Sequence, residues 1–217
     1  DTPRLEQIFI DTSEYVKVLE AGTANWHTVR LPNGQLPPFG DTNFNANNAR
    51  NAGSNGLLPA YGHLSLGGGS GSRTVQLNQN FSDEANHMRA DVTAYSLWAN
   101  GVELLGNVRY HNGSPGRQWT EQILAHNAVT IDRVNMSRSP GWNVGGNGHR
   151  FTSGNLALYE PLANGLGLSE LDGQRPYANK ASRYQRILLL NTIDPDRPYV
   201  VDVFFNDTAT TEIYTFH

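Results

Sequence analysis

At the start of the chain, Leu5, Ile8, Phe9, Val16 and Leu19 recur at near-helical spacing, which predicts one helix with an apolar stripe. Thr2-Pro3 supplies its start, with proline in the first helical position, and Gly22 its C-cap. Residues 22–56 hold no strong period; LPNGQLPPFGD and the Asn-rich FGDTNFNANNARNAG read as loops, and residues 67–72 as a flexible Gly/Ser connector. From residue 74 the pattern changes to short β-rich runs between turn signals. Strands are expected at 74–77, 92–99, 102–108, 128–132, 156–160, 183–191 and 199–205. Between two of these runs lies Asn100-Gly101, the dipeptide of a type I′ hairpin, whose central positions both need positive φ. Residues 137–154, rich in glycine, are expected to form a long surface loop. The pattern predicts a mainly β chain, an antiparallel β-sandwich preceded by one helix. The helix takes residues 1–22, a loop-rich connector 23–73, the sandwich 74–205 and a tail 206–217.

Composition narrows the partners. At 217 residues the chain can bury one substantial core. Its net charge is −4, from 16 basic and 20 acidic residues, which argues against nucleic acid or an anionic membrane surface as the main partner. A polyanionic sugar remains compatible, since a local cleft needs only a few arginines. With 22 Gly and 11 Pro the chain suits a loop-rich β protein, and without cysteine it has neither disulfides nor a thiolate metal site. No apolar run is long enough to span a bilayer. No Gly-x-Ser-x-Gly or His-Glu-x-x-His occurs, so hydrolase and metalloprotease readings lack support.

Three blocks carry chemistry. The first runs His87-Met88-Arg89-Ala90-Asp91 into a strand, Asn100-Gly101, Leu104-Leu105 and Asn107-Val108-Arg109-Tyr110. The second is Arg117-Gln118-Trp119-Thr120 followed by Ala125-His126-Asn127-Ala128-Val129-Thr130-Ile131-Asp132. The third is Tyr184-Gln185-Arg186-Ile187-Leu188-Leu189, then Tyr199-Val200-Val201-Asp202-Val203-Phe204. In this order they resemble the sandwich domain of the heparinase II/III-like polysaccharide lyases, over about residues 30–205. The resemblance implies a sandwich that follows an α/α toroid, of which residues 1–22 would be the last helix. It also implies cleavage next to a uronic acid by β-elimination. That reaction needs a group to hold the sugar carboxylate, a base for the C5 proton and an acid for the leaving oxygen.

By resemblance, His87 is the catalytic candidate; read on its own it is a surface histidine in a loop before a strand. Asn86, Arg89, Tyr110, Arg117 and Trp119 are the expected substrate-binding residues, with Trp119 either stacking on sugar or anchoring the core. The positions that hold a structural zinc in several family members are Arg89, Asn107 and His126 here. Arginine cannot ligate and asparagine is a poor ligand, so no metal and no cofactor are expected. Arg89 then either replaces the metal's charge or pairs with Asp91 or a glutamate. Arg109 stands where the family has glycine, which puts the local backbone in question, and His63 and His149 have no spacing partner.

Both ends read as cut. Residues 206–215 resemble a translated sequencing-library adapter, so the native sequence is expected to stop near Phe205; the other reading is a Thr-rich strand. The expectation is a fragment of a bacterial, periplasmic or secreted lyase acting on an acidic polysaccharide, inactive without the toroid residues of the same polypeptide. The rival readings are a non-catalytic carbohydrate-binding or structural sandwich, and an unrelated adhesion sandwich.

Overall fold

The structure, a computed structural model, describes residues 13–39, 42, 49, 52–82, 89–109, 116–136, 154–161, 163–177, 180–207 and 213–215. Helix α1 (Ser13–Val29) leads into two antiparallel sheets. The first is a meander of β1 (Gly56–Leu58), β2 (His63–Gly68), β3 (Val75–Asn80), β4 (Tyr95–Ala99) and β5 (Val102–Leu105). After α2 (Gly116–Thr120) and β6 (Val129–Ile131), the second sheet follows as β7 (Asn155–Glu160), β8 (Leu166–Asp172), β9 (Tyr184–Asn191) and β10 (Tyr199–Asn206). β6 pairs separately with β11 (Ile213–Thr215), so part of the Thr-rich tail takes a strand conformation. Among the described residues no helix is long and apolar enough to cross a membrane.

Alternation decides which side chains meet. β9 buries Tyr184, Arg186, Leu188 and Leu190 and leaves the residues between them half-buried. Leu188 and Leu190 join Leu64, Leu66, Leu77, Tyr95 and Leu171 in the core between the sheets. A second core, built on Val92, Ile123, Val129, Ile131, Tyr177 and Tyr184, lies under the starts of β4 and β9. Each fully buried aliphatic side chain contributes roughly 1.5–3 kcal/mol. Two cores therefore fix both the sandwich and the motif-bearing end attached to it.

The sandwich and the Asn100-Gly101 hairpin form as the pattern predicts; Asn100 and Gly101 have φ of 54° and 79°, and Ala99 faces Val102. Several elements differ from the sequence reading. α1 runs through Gly22 to Val29, because its last turn is held from outside: Val29 is buried and the Thr28 carbonyl accepts hydrogen bonds from Ser54 and Ser65. The expected start at Thr2-Pro3 lies outside the described residues. The stretch read as connector contains β1 and β2. Gly67 is needed there because a Cβ would lie 2.5 Å from both the Gln76 Oε1 and the Ser54 nitrogen, so the glycines serve close approach rather than flexibility. β8 is an added strand whose inward positions are Gly167, Ser169 and Leu171; Ser169 donates to Gln79 and Gly167 lies against Leu66. Its leucines at 166 and 168 are on the other face, so the hydrophobic pattern points the wrong way.

Candidate functional site

The three motif blocks converge at the end of the sandwich where β4 and β9 begin. From the first block, Asp91 accepts a hydrogen bond from Asn80 Nδ2 at 2.9 Å, which ties the segment before β4 to the end of β3. Arg89 is 3% exposed, and its Nη1 donates to the Val108 carbonyl, so both ends of the first block meet. From the second block, the Asn127 N–H donates to Asn107 Oδ1 at 3.2 Å, and Asn127 Nδ2 donates to the Tyr95 and Gly106 carbonyls at 3.1 Å.

The third block supplies the clamp. Arg186 Nε and Nη2 donate to the two Asp202 oxygens at 2.9 and 2.6 Å, a bidentate pair. Its Nη1 donates to the Thr93 carbonyl at 3.1 Å and the Asn127 carbonyl at 2.6 Å, and the guanidinium lies 4.6 Å from the Tyr95 ring centroid. One buried arginine thus holds all three blocks together. Sequence reading quoted Arg186 and Asp202 without giving them a role. Parity was the available signal: both share the inward face of their strands, and an inward arginine needs a carboxylate and carbonyls to receive its donors.

Burial sets the acid–base character of this frame. Burial pushes the Tyr184 hydroxyl up to about 12, and it donates to the Val129 carbonyl at 2.5 Å. Burial raises Tyr177 further still, and its hydroxyl donates to the Val134 carbonyl. Neither is placed to exchange protons near neutral pH. His63 sits edge-on to Phe39 and Tyr61, and burial lowers it to about 3 against a weaker raising effect from Asn80. It is a neutral packing residue opposite Asn80 in the sheet.

Of the expected site residues, Asn86, His87 and Tyr110 lie outside the described residues, as does His149. Arg89, expected to bind substrate, is buried with its Nη1 on the Val108 carbonyl, so its described contact is to the frame. The three positions given to zinc in relatives are brought together here, since Asn107 is bonded to the residue after His126 and Arg89 to the residue after Asn107. They do not fit the ion. Arg89 has only donors, Asn107 Oδ1 is turned to a backbone N–H, and His126 alone is a competent ligand type. Among the described residues no group of three His, Cys, Asp or Glu gathers for a metal. Arg109, in the family's glycine position, has no positive φ; it is buried and donates to the Leu36 carbonyl at 2.6 Å and to Glu103 at 3.2 Å.

Among the expected substrate-binding residues that are described, those on α2 are the ones that face outward. Thr120 and Ile123 are buried beneath it, leaving Arg117 half-buried and Trp119 52% exposed. Arg117 Nε donates to Glu121 one turn on, at 2.9 Å. The core-anchor reading of Trp119 therefore does not hold: an indole and a guanidinium stand at the surface on a short, well-anchored helix. An exposed indole can stack on a pyranose face, and a guanidinium can bind an acidic group.

Comparison with known proteins agrees with this fold. The solved heparan sulfate lyase HepC from Pedobacter heparinus superposes with a TM-score of 0.65 at 16% identity, over 90% of this chain and 33% of that one. Heparinase III, the BT4657 gene product, superposes with a TM-score of 0.62 at 15% identity, over 88% of this chain and 32% of that one. The chain therefore spans about a third of the length of those lyases. No curated protein matches the sequence. Residues 78–217 match the family described as "Heparinase II/III-like, C-terminal". This is more than half of the chain, and it includes all three blocks and the clamp that joins them; the chain belongs to the heparinase II/III-like C-terminal family.

Proposed function

We propose that this sandwich is part of a longer polysaccharide lyase that cleaves uronic-acid-containing polysaccharide, glycosaminoglycan- or alginate-like, by β-elimination. In that reaction a base takes the C5 proton, the C4–O bond breaks, a C4=C5 double bond forms and an acid protonates the leaving oxygen. Trp119 and Arg117 hold the polymer at the cleft rim, and His87 serves the proton transfers. The frame around Arg186 fixes the segments that carry them. α1 is the last helix of a toroid, whose residues complete the acid–base group. Such polymers are met in the periplasm or outside the cell, which is where this reading places the protein.

The observation that carries the reading is the exposed indole of Trp119 on α2, the segment that joins the locked second block. Its test is titration of the chain with a heparan sulfate tetrasaccharide followed by amide NMR shifts. Shifts centred on α2 that Trp119→Ala removes are expected; a chain in which no signal moves overturns the reading, and one whose α2 signals alone stay still overturns the role of Trp119. The longer open reading frame, recovered by sequencing across both ends, is then incubated with heparan sulfate and alginate. Absorbance from the new double bond is expected from the longer protein and not from this chain.

Loss of two of the three zinc positions favours the second reading, a non-catalytic carbohydrate-binding sandwich, because Arg89 and Asn107 are bonded into the frame where a metal would need ligands. A longer protein that binds these polymers and yields no unsaturated product supports that reading.

A further inference from the structure

The opposite end of the sandwich holds a second site. β9 runs on past the Arg186 clamp to Asn191, which at about 3.4 Å per residue puts its far end on the order of 20 Å from the clamp. There the β4–β5 hairpin and the β9–β10 connection, the turns at the free edges of the two sheets, meet around a cleft of about 530 Å³. Small-ligand sites usually measure roughly 300–1,000 Å³, so this one is large enough. Its floor is the end of the inter-sheet core, Leu97 and Leu190, and its walls include Leu104 and Tyr199, both more than half exposed.

The rim is charged, and its charges are unequally engaged. Arg73 and Asp196 pair at 2.8 Å. Asp194 Oδ1 accepts the Asp196 N–H, and its carbonyl accepts the Arg197 N–H, so both acidic residues of the turn are occupied. The Arg197 guanidinium has no hydrogen bond or ion pair among the described residues, although it lines the cleft. Pro195 and Pro198 flank it and fix φ on either side, so the loop is held in shape before any ligand arrives. The Tyr199 hydroxyl accepts a hydrogen bond from Asn191 Nδ2 at 2.9 Å, which steadies a ring that is more than half exposed.

We propose that this cleft is an ancillary binding site for an acidic pyranoside, with the sugar's apolar face on Tyr199 and Leu104 and its carboxylate or sulfate on Arg197. A flat, partly apolar wall next to a guanidinium fork matches such a sugar in both shape and charge. A lone apolar groove would give no reason for Arg197, and a free anion would give no reason for the exposed ring. The site rests on the reading of the protein as one that handles acidic polysaccharide. It gives the protein two holds on one chain, the motif end for cleavage and this end for retention. Two linked weak sites raise the time spent on a polymer without any new contact at the cleavage point.

The experiment is the same tetrasaccharide titration, read at the other end of the molecule. Heparan sulfate tetrasaccharide is expected to shift amides of Arg197, Tyr199 and Leu104 saturably, with cellotetraose, its uncharged counterpart, shifting them weakly or not at all. Tyr199→Ala or Arg197→Ala is expected to weaken this binding about tenfold or more, while Tyr199→Phe retains it. Because Tyr199→Ala is able to disturb β10, each variant's melting temperature is measured, and Arg197→Ala, at an exposed turn, stands as the variant that folds. Equal shifts by cellotetraose, or shifts that survive Arg197→Ala, overturn the proposal. So do shifts confined to α2, an outcome that leaves the function proposed above standing. Shifts at Arg197 and Tyr199 without any at α2 support this site and count against the assignment of Trp119.

Discussion

The junction of the motif blocks and the outward face of α2 are built from the same residue types and differ in almost everything else. At the junction, Arg186 is buried with every donor group directed at a carboxylate or carbonyl, and Arg89 is bonded to the Val108 carbonyl beyond β5. On α2, Arg117 is half-buried with an i, i+4 partner in Glu121, and Trp119 faces solvent. A family motif thus mixes two kinds of residue, those that hold the segments in register and those left for a ligand. Removing the first kind should cost stability, and removing the second should cost binding.

The largest expected effect comes from Arg186→Met. It leaves the Asp202 carboxylate partly buried without its partner and two carbonyls without donors, and should lower unfolding free energy by about 3–5 kcal/mol. Urea denaturation followed by tryptophan fluorescence measures it. Adding Asp202→Leu should recover part of the loss, since the uncompensated charge disappears. If the single variant unfolds within 1 kcal/mol of the parent chain, on the order of RT, Arg186 is not the clamp.

Arg89→Met comes next, at about 1.5–3 kcal/mol, the usual range for a hydrogen bond from a charged group. The same position decides the metal question. Zinc or a chelator should leave the melting temperature of the parent chain unchanged, because a donor-only side chain stands among the three positions. A rise in melting temperature with zinc would show that the histidine and asparagine find other ligands.

His63 tests the frame through pH. Its folded-state value, about 3, lies below the ordinary 6.5, so below pH 6.5 the unfolded chain takes up a proton that the folded chain refuses. Stability should therefore fall as pH drops from 6.5 toward 3, by up to about 1.4 kcal/mol per pH unit, and be free of this penalty above 6.5. His63→Gln should flatten that part of the stability–pH curve. An unchanged slope would mean that other groups dominate acid unfolding.

These contrasts also show where the sequence was legible. Asn100-Gly101 specifies its hairpin locally, so the turn and its flanking strands are readable from four residues. α1 outruns Gly22 because Ser54 and Ser65, far along the chain, hold its last turn. β1 and β2 were hidden by glycines packed closely against Thr28, Ser54 and Thr192, and β8 by inward positions that carry glycine and serine. The family was legible in the residues of the three blocks taken in order. The split between frame and surface was not, because Arg89 and Arg117 look alike until burial separates them.

The smallest effect on stability, and the sharpest on binding, is expected at Trp119. With 52% of its surface exposed and Thr120 and Ile123 anchoring α2 beneath it, Trp119→Ala should change unfolding free energy by no more than about 0.5 kcal/mol. The loss of a stacking surface should still weaken oligosaccharide binding at α2 severalfold. Arg117→Ala should behave alike, since an exposed helix pair with Glu121 is worth only about 0.3–0.5 kcal/mol. A Trp119→Ala chain that loses several kcal/mol would place the indole in the frame after all. A chain that keeps both stability and binding would leave α2 with no part in holding the polymer, and only the buried arginines would then explain why the three blocks occur together.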